Sequence, residues 1–179
     1  QSIRPETRLL VVNFPHNPTG SLPSKADYQR ILELVRQHNL TLFSDEMYRW
    51  LEYDENDRLP SACEVYERAV SLCGMSKTFG MAGARLGWLA TRDAELYAKL
   101  AAFKDYTTIC GNSSAEVLSI IALRNREQIV ARHLQRIRRN LALLDSFFVE
   151  FGELFEWVKP RAGTIAFPRL KGAVEAQDF

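Results

Sequence analysis

The sequence predicts an α/β fold with a mostly parallel sheet, and three observations support this prediction. Short apolar segments of strand length alternate with helical or irregular connections. Polar side chains follow the first three of these segments, at the edge of an open α/β sheet where ligands bind. A fourth segment returns after a connection too short for a parallel crossover, so we expect it to pair antiparallel with the third.

The four predicted strands are short and apolar. The first covers residues 8–14 and is closed by Pro15, a pattern typical of a strand buried on both faces. The others cover residues 41–44, 69–73 and 86–90. Ser24 offers an N-cap for a helix between the first two strands, which runs to about His38.

Three helices are expected after Asp93, with a break at residues 110–112. In the first of them, Leu96, Leu100 and Phe103 fall on one face. The third helix is long, and its apolar residues recur at steps of four and three from Val130 to Phe151, so this stripe is expected to be buried. Two strands are then expected near residues 155–158 and 164–167.

Composition excludes several classes of protein. The 179 residues carry 46% hydrophobic and 25% charged side chains with a formal net charge of +1, so no overall field attracts nucleic acid. No apolar run approaches the roughly 20 residues that a membrane helix needs. Cys63, Cys73 and Cys110 lack metal-binding or disulfide spacing, which favours buried free thiols in a reducing, cytoplasmic compartment. Because the chain starts without methionine and reaches a strand almost at once, we expect a piece of a longer protein.

The segment from Ser71 to Trp88 contains four of the nine glycines of the chain, with Lys77 among them. A lysine amine is useful in catalysis when it is neutral or held as an imine, and small neighbours let a bulky group approach. Ser76 adds a hydroxyl, and the planar guanidinium of Arg85 suits a phosphate. This combination fits pyridoxal phosphate.

Rival phosphate sites are less well supported. Lys77 and Thr78 match the end of a P-loop, but Met75 and Ser76 stand where its glycine and following residue would be. No GxGxxG motif follows a strand. Arginines on the long helix are better explained as a solvated face than as a phosphate site, given the balanced net charge. They are Arg126, Arg132, Arg136, Arg138 and Arg139.

Four motifs in order carry a family resemblance. They are Asn17-Pro18-Thr19-Gly20, Ser44-Asp45-Glu46-Met47-Tyr48, Ser76-Lys77 and Gly83-Ala84-Arg85-Leu86-Gly87-Trp88. With these, the chain resembles the fold type I pyridoxal-phosphate enzymes of the class I/II aminotransferase family. The resemblance implies that residues 1–124 form part of the large domain, with its mostly parallel sheet. It also implies that residues 125–179 form a linking helix and the start of an α+β small domain, and that the full-length protein is a homodimer.

The resemblance also assigns roles to residues around the lysine. Lys77 would form a Schiff base with the cofactor aldehyde and then move a proton as general acid and base. Asp45 would pair with the pyridine nitrogen and keep it protonated. Tyr48 and Asn17 would bind the ring oxygen, and Asn17 would also approach the substrate carboxylate. Taken alone, these last three residues would be explained as a helix cap, a core tyrosine and an Asx-turn.

Ser76 and Arg85 would bind the cofactor phosphate. Many relatives carry a serine or threonine three positions before the lysine, whereas this chain has Gly74, which removes one hydroxyl contact. The family's glycine-rich phosphate segment and its stacking aromatic would precede Gln1, and its substrate-carboxylate arginine would follow Phe179. We expect the 179 residues alone to be inactive.

The expected activity is transfer of an amino group between an amino acid and a 2-oxo acid. Lyases, decarboxylases and racemases of the same fold use the same lysine-held cofactor, so these stay open as alternatives. A further alternative is the effector-sensing domain of an aminotransferase-like transcription regulator, which would also need Lys77 to hold the cofactor.

Overall fold

The structure is a computed structural model that describes residues 3–172, and it confirms the α/β class. One four-stranded sheet has the order β1-β2-β3-β4, and the first two pairings are parallel. The fourth strand pairs antiparallel with the third, as predicted. The strands are β1 Leu9–Asn13, β2 Thr41–Asp45, β3 Ala69–Gly74 and β4 Gly87–Thr91.

Helices connect and flank these strands. They are α1 Lys25–Gln37, α2 Ala62–Val65, α3 Ala94–Thr107, α4 Ser113–Arg124 and α5 Arg126–Glu150. The hydroxyl of Ser24 accepts a hydrogen bond from the Asp27 amide at 3.0 Å and so caps α1. The side chain of Asn112 does the same for α4 through the Ala115 amide at 3.1 Å. These local signals explain why both helices start where the sequence predicted.

The main core lies on one face of the sheet, under α1. Tyr28, Leu32 and Val35 of α1 pack in a cluster with Val12 and Leu42 of the sheet. Successive side chains of a strand point to opposite faces, and the opposite face of β1 is open. The prediction that β1 is buried on both faces is therefore wrong: Leu9 is 52% exposed and Val11 is 60% exposed, because no described segment covers them.

The helices after β4 differ in their burial. No residue of α3 is fully buried. Of its predicted apolar face, Leu96 and Leu100 are half-buried and α3 contacts β4, whereas Phe103 is 66% exposed, so residues 3–172 cover this face only in part. The stripe on α5 is covered along most of its length, with Leu134, Leu141 and Phe148 buried. Phe151, which follows the helix, is exposed.

The last described segment forms a small sheet. β5 Phe155–Glu156 pairs antiparallel with β6 Arg169–Leu170. The strand predicted at residues 164–167 is wrong, because Ile165 packs against the cluster around Tyr48 and its apolar character reflects that contact. Residues 173–179 of the predicted small-domain segment lie outside the described residues.

None of the helices among residues 3–172 is long and apolar enough to cross a membrane.

The three cysteines differ in burial. The expectation of buried free thiols holds only for Cys73, since Cys63 is half-buried and Cys110 is exposed. Cys110 lies in the connection between α3 and α4, where no core forms. Burial raises the pKa of the Cys73 thiol to about 11.

Candidate active site

Asn13 joins the first two strand ends of the site. It lies opposite Asp45 in the parallel register. Its Oδ1 accepts a hydrogen bond from the Asn17 amide at 2.8 Å, and its Nδ2 donates to the Asp45 carbonyl at 3.3 Å. The loop after β1 is therefore tied to the end of β2, which brings Asn17 and Asp45 to the same edge of the sheet.

Asp45 ends β2 as a half-buried carboxylate. Its Oδ1 accepts a hydrogen bond from the Met47 amide at 3.1 Å, which fixes the carboxylate plane. No group within residues 3–172 donates a hydrogen bond to Oδ2. One oxygen atom thus holds the side chain in place, and the other is available to a partner.

Tyr48 forms the centre of the site. The segment after β2 makes turns, in which the Arg49 amide donates a hydrogen bond to the Glu46 carbonyl at 2.9 Å. The Tyr48 side chain is only 4% exposed, and its hydroxyl accepts a long hydrogen bond from Asn17 Nδ2 at 3.5 Å. Lys77 Nζ lies 5.7 Å from the centroid of the Tyr48 ring, within the range of a cation–π contact.

Lys77 sits in a tight turn, residues 75–81, which we call the Lys77 turn. The Gly80 amide donates to the Lys77 carbonyl at 3.0 Å, and the Met81 amide donates to the Met75 carbonyl at 2.9 Å. Lys77 itself is exposed. The turn therefore fixes the backbone of Lys77 and leaves its amine accessible.

Thr78, directly after the lysine, anchors this turn to the turn beside Tyr48. Its side chain is completely buried, and its Oγ1 donates to the Arg49 carbonyl at 2.7 Å, with the Met47 carbonyl at 3.2 Å. This hydroxyl links the backbone around Tyr48 to the backbone around Lys77. Sequence reasoning assigned Thr78 no role beyond the rejected P-loop, although its place next to the lysine was a usable signal.

The two predicted phosphate ligands lie in the loop between β3 and β4. The Met75 amide closes this loop by donating to the Leu86 carbonyl at 3.0 Å. Ser76 is half-buried. Arg85 is exposed with a left-handed backbone (φ 51°), and its Nη1 donates to the Ala82 carbonyl at 3.2 Å. The structure thus places both residues on the loop that carries Lys77, with the guanidinium turned to its own loop.

Gly74 has a structural reason that the sequence did not reveal. It lies opposite Gly87 in the antiparallel register. A Cβ atom at Gly74 would lie 3.2 Å from both the Gly87 Cα and the Leu86 carbonyl oxygen. The interpretation of this glycine as clearance for a bulky ligand is therefore wrong, because the space belongs to the neighbouring strand.

Glu46, between Asp45 and Met47, is a buried carboxylate that sequence reasoning missed. Its Oε2 accepts from the Ser61 hydroxyl at 2.7 Å. Its Oε1 accepts from the Ser71 hydroxyl and the Ala62 amide, both at 2.9 Å. The side chain is 5% exposed, so this network fixes the start of the segment that carries Tyr48. These partners are distant in the sequence, and no local pattern predicted them.

The available groups suit a phosphorylated pyridine aldehyde. An accessible amine, a carboxylate with an oxygen atom to spare, and a phenol beside an amide surround one end of the sheet. A serine and an arginine follow on the same loop. The described residues contain no cluster of histidine, cysteine and acidic side chains that could hold a metal ion.

The mixed sheet with its flanking helices is an α/β fold, and solved structures of PLP-dependent aminotransferases share it. The sequence model of aminotransferase class I and II matches residues 1–179, and the chain belongs to this family.

Named relatives extend this finding. The chain is 33% identical to aromatic-amino-acid aminotransferase 2 of Thermococcus litoralis over 94% of its own length and 44% of the relative's. It is 27% identical to capreomycidine synthase of Streptomyces vinaceus over 97% of its length and 44% of the relative's. A PLP-dependent aminotransferase from Streptococcus suis superposes with a TM-score of 0.85 at 28% identity, covering 94% of this chain and 44% of that one. The chain thus spans less than half the length of these proteins.

Proposed function

We propose that the full-length protein is a pyridoxal-phosphate-dependent aminotransferase that moves an amino group between an amino acid and a 2-oxo acid. The observation that carries this proposal is the position of the Lys77 amine over the Tyr48 ring, 5.7 Å from its centroid, at the edge where Asp45 and Asn17 meet. Family membership and the names of the relatives support it.

Asp45, Tyr48 and Asn17 would hold the cofactor ring. Asp45 Oδ2 suits the pyridine nitrogen, because a carboxylate near a cation favours the charged form of both. The Tyr48 hydroxyl and Asn17 Nδ2 suit the ring oxygen, and Asn17 also suits the substrate carboxylate. When bound, the cofactor supplies an electron sink for the pair released from the substrate Cα.

Ser76, Lys77 and Arg85 would complete the site from the β3–β4 loop. Ser76 and Arg85 suit the phosphate, provided that the guanidinium leaves the Ala82 carbonyl. Lys77 would hold the cofactor as a Schiff base. As a free amine, Lys77 Nζ would accept the proton from the substrate Cα and would then act as the acid that returns it. Thr78 would keep the backbone of Lys77 fixed through these steps.

The same proposal includes the domain boundary, the assembly and the cellular location. We place residues 1–124 in the large domain and residues 125–179 in the linking helix and small domain, which agrees with the break between α4 and α5 at Asn125. The proposed assembly is a homodimer that binds no nucleic acid through this segment. A cytoplasmic location agrees with the three free cysteines.

A second candidate is another reaction of the same fold. The name of the Streptomyces vinaceus relative, a synthase, favours it, because that protein matches 97% of the chain. The Lys77 amine would hold the cofactor in either case. The substrate and the fate of the product therefore decide between the two candidates.

A substrate panel on the full-length protein tests the proposal. We expect conversion of one or more amino acids in the presence of pyridoxal 5′-phosphate and a 2-oxo acid, with production of the partner amino acid. Lys77→Ala should lower kcat by about 10³-fold or more, because it removes the amine that moves the proton. Lys25→Ala, an exposed lysine on α1, is the matched control. Product formation that needs no 2-oxo acid would favour the second candidate.

A further inference from the structure

The Lys77 turn is also contacted by α5, a helix to which the proposed function assigns no role. His133 lies on α5, and its Nδ1 is 3.0 Å from the carbonyl oxygen of Thr78. Because a carbonyl oxygen only accepts, Nδ1 is the nitrogen that carries the hydrogen at this contact. A side chain far along the sequence thus binds the peptide next to the candidate catalytic lysine.

The geometry of the turn depends on this imidazole in a second way. Gly80 has φ +68°, and a Cβ atom there would lie 3.1 Å from His133 Cε1. The imidazole therefore packs directly on the glycine that closes the turn on the Lys77 carbonyl. A residue with a side chain at position 80 would meet both backbone strain and the histidine ring.

The hydroxyl and the carbonyl of Thr78 are bound by two different segments. Its hydroxyl donates to the Arg49 carbonyl at 2.7 Å, on the β2 side, and its carbonyl accepts from His133 on α5. These two bonds restrain Thr78, the residue that follows Lys77, through its side chain and its carbonyl. They leave the lysine side chain exposed and free of contacts from α5.

We propose that His133 is a positioning residue for Lys77, acting through the Thr78 carbonyl. This inference rests on the proposed function for its consequence, since it takes Lys77 as the reacting amine. α5 would then contribute to the site by orienting the Lys77 turn, without touching cofactor or substrate.

Two polar substitutions separate this role from general packing. In His133→Asn the amide nitrogen takes the place of Nδ1 and keeps the hydrogen bond, whereas in His133→Gln it reaches the place of Nε2 and loses it. The first measurement is amide hydrogen exchange of Gly80 and Met81 in full-length protein without cofactor. We expect exchange about tenfold faster in His133→Gln and within about twofold of the parent in His133→Asn. Gln135→Ala, an exposed position on α5, should not change it.

The second measurement is the rate at which pyridoxal 5′-phosphate becomes fixed to Lys77 by borohydride. It should fall about tenfold in His133→Gln and recover in His133→Asn. Equal behaviour of the two variants in either measurement would overturn the proposal. Lack of uptake by the parent protein would instead contradict the proposed function, and hydrogen exchange would still decide whether His133 holds the turn.

Discussion

The two sides of the candidate site differ in how firmly they are held. On the β2 side, Tyr48 is 4% exposed and Glu46 is 5% exposed, and the carboxylate of Glu46 accepts three hydrogen bonds. On the β3 side, Lys77 and Arg85 are exposed, and the hydrogen bonds of the Lys77 turn hold its backbone and Thr78 while the Lys77 amine stays accessible. In the proposed function, the firmly held side would keep the cofactor ring in place and the exposed side would supply the amine that moves.

Removing the Glu46 carboxylate should produce the largest effect, because it would weaken the rigid side. Glu46→Ala leaves the Ser61 and Ser71 hydroxyls and the Ala62 amide without their buried acceptor. We expect a loss of about 3 kcal/mol in the free energy of unfolding of the full-length protein, measured with denaturant.

Glu64→Ala is the matched control for that variant. Glu64 is exposed, and its carboxylate accepts a hydrogen bond from the Ser61 amide at 3.1 Å in a capping box. Its removal should cost about 1 kcal/mol or less. Equal losses in the two variants would show that the buried network does not distinguish the β2 side.

The reactivity of the Cys73 thiol tests whether the packing between β3 and the Glu46 backbone excludes reagents from solvent. Its Sγ lies 3.7 Å from the Glu46 carbonyl, and burial raises its pKa to about 11. Alkylation by iodoacetamide at neutral pH should be at least about 100-fold slower in the native protein than in denaturant. Comparable alkylation rates in the native protein and in denaturant would mean that the packing around Cys73 opens readily.

Introducing at position 74 the hydroxyl that the family resemblance led us to expect should harm the protein. Gly74→Ser places a Cβ atom 3.2 Å from Gly87 Cα and the Leu86 carbonyl, so the two strands must separate slightly. We expect a loss of about 1 to 2 kcal/mol in stability and no gain in cofactor affinity. Gly83→Ser, where nothing lies within 4 Å, is the control and should be neutral. Tighter cofactor binding by Gly74→Ser with unchanged stability would contradict the strand-packing explanation.

An exposed ion pair far from the site should give the smallest effect. Hydrogen bonds from Lys159 and then from Trp157 lower the pKa of Asp145. Since the folded-state pKa is the lower one, this contribution is present above the ordinary carboxyl pKa and is lost as pH falls through the folded-state value.

Asp145→Asn should therefore cost about 0.5 kcal/mol at pH 7 and less as the pH falls through the folded-state pKa. Denaturant unfolding of the parent and the variant, at pH 7 and at a pH below the folded-state pKa of Asp145, measures this difference. A loss that does not depend on pH would indicate that packing against Trp157, and not charge, holds this pair together.

Local patterns in the sequence predicted most of the sheet and the helix starts. Apolar runs marked the strands, and Ser24 and Asn112 provide caps where helices begin. The exposed face of β1 was not predictable, because apolar residues such as Val11 do not reveal whether another segment covers them.

The site was predictable only in part. Lys77 followed from its glycine-rich setting, whereas Asp45 and Tyr48 came from the resemblance, and the structure brings Tyr48 into contact with Lys77 and with Asn17. The groups that hold them, such as Thr78 and His133, act through tertiary hydrogen bonds between distant segments. Such contacts have no periodicity or spacing that a single sequence displays.

Chemical fixation of the cofactor tests the central claim most directly. Full-length protein is incubated with pyridoxal 5′-phosphate, reduced with borohydride, digested and analysed by mass spectrometry. We expect one added pyridoxal-phosphate group on the peptide that contains Lys77, and none in Lys77→Ala. A group on another lysine, or no group at all, would contradict the assignment of Lys77 as the cofactor-binding amine.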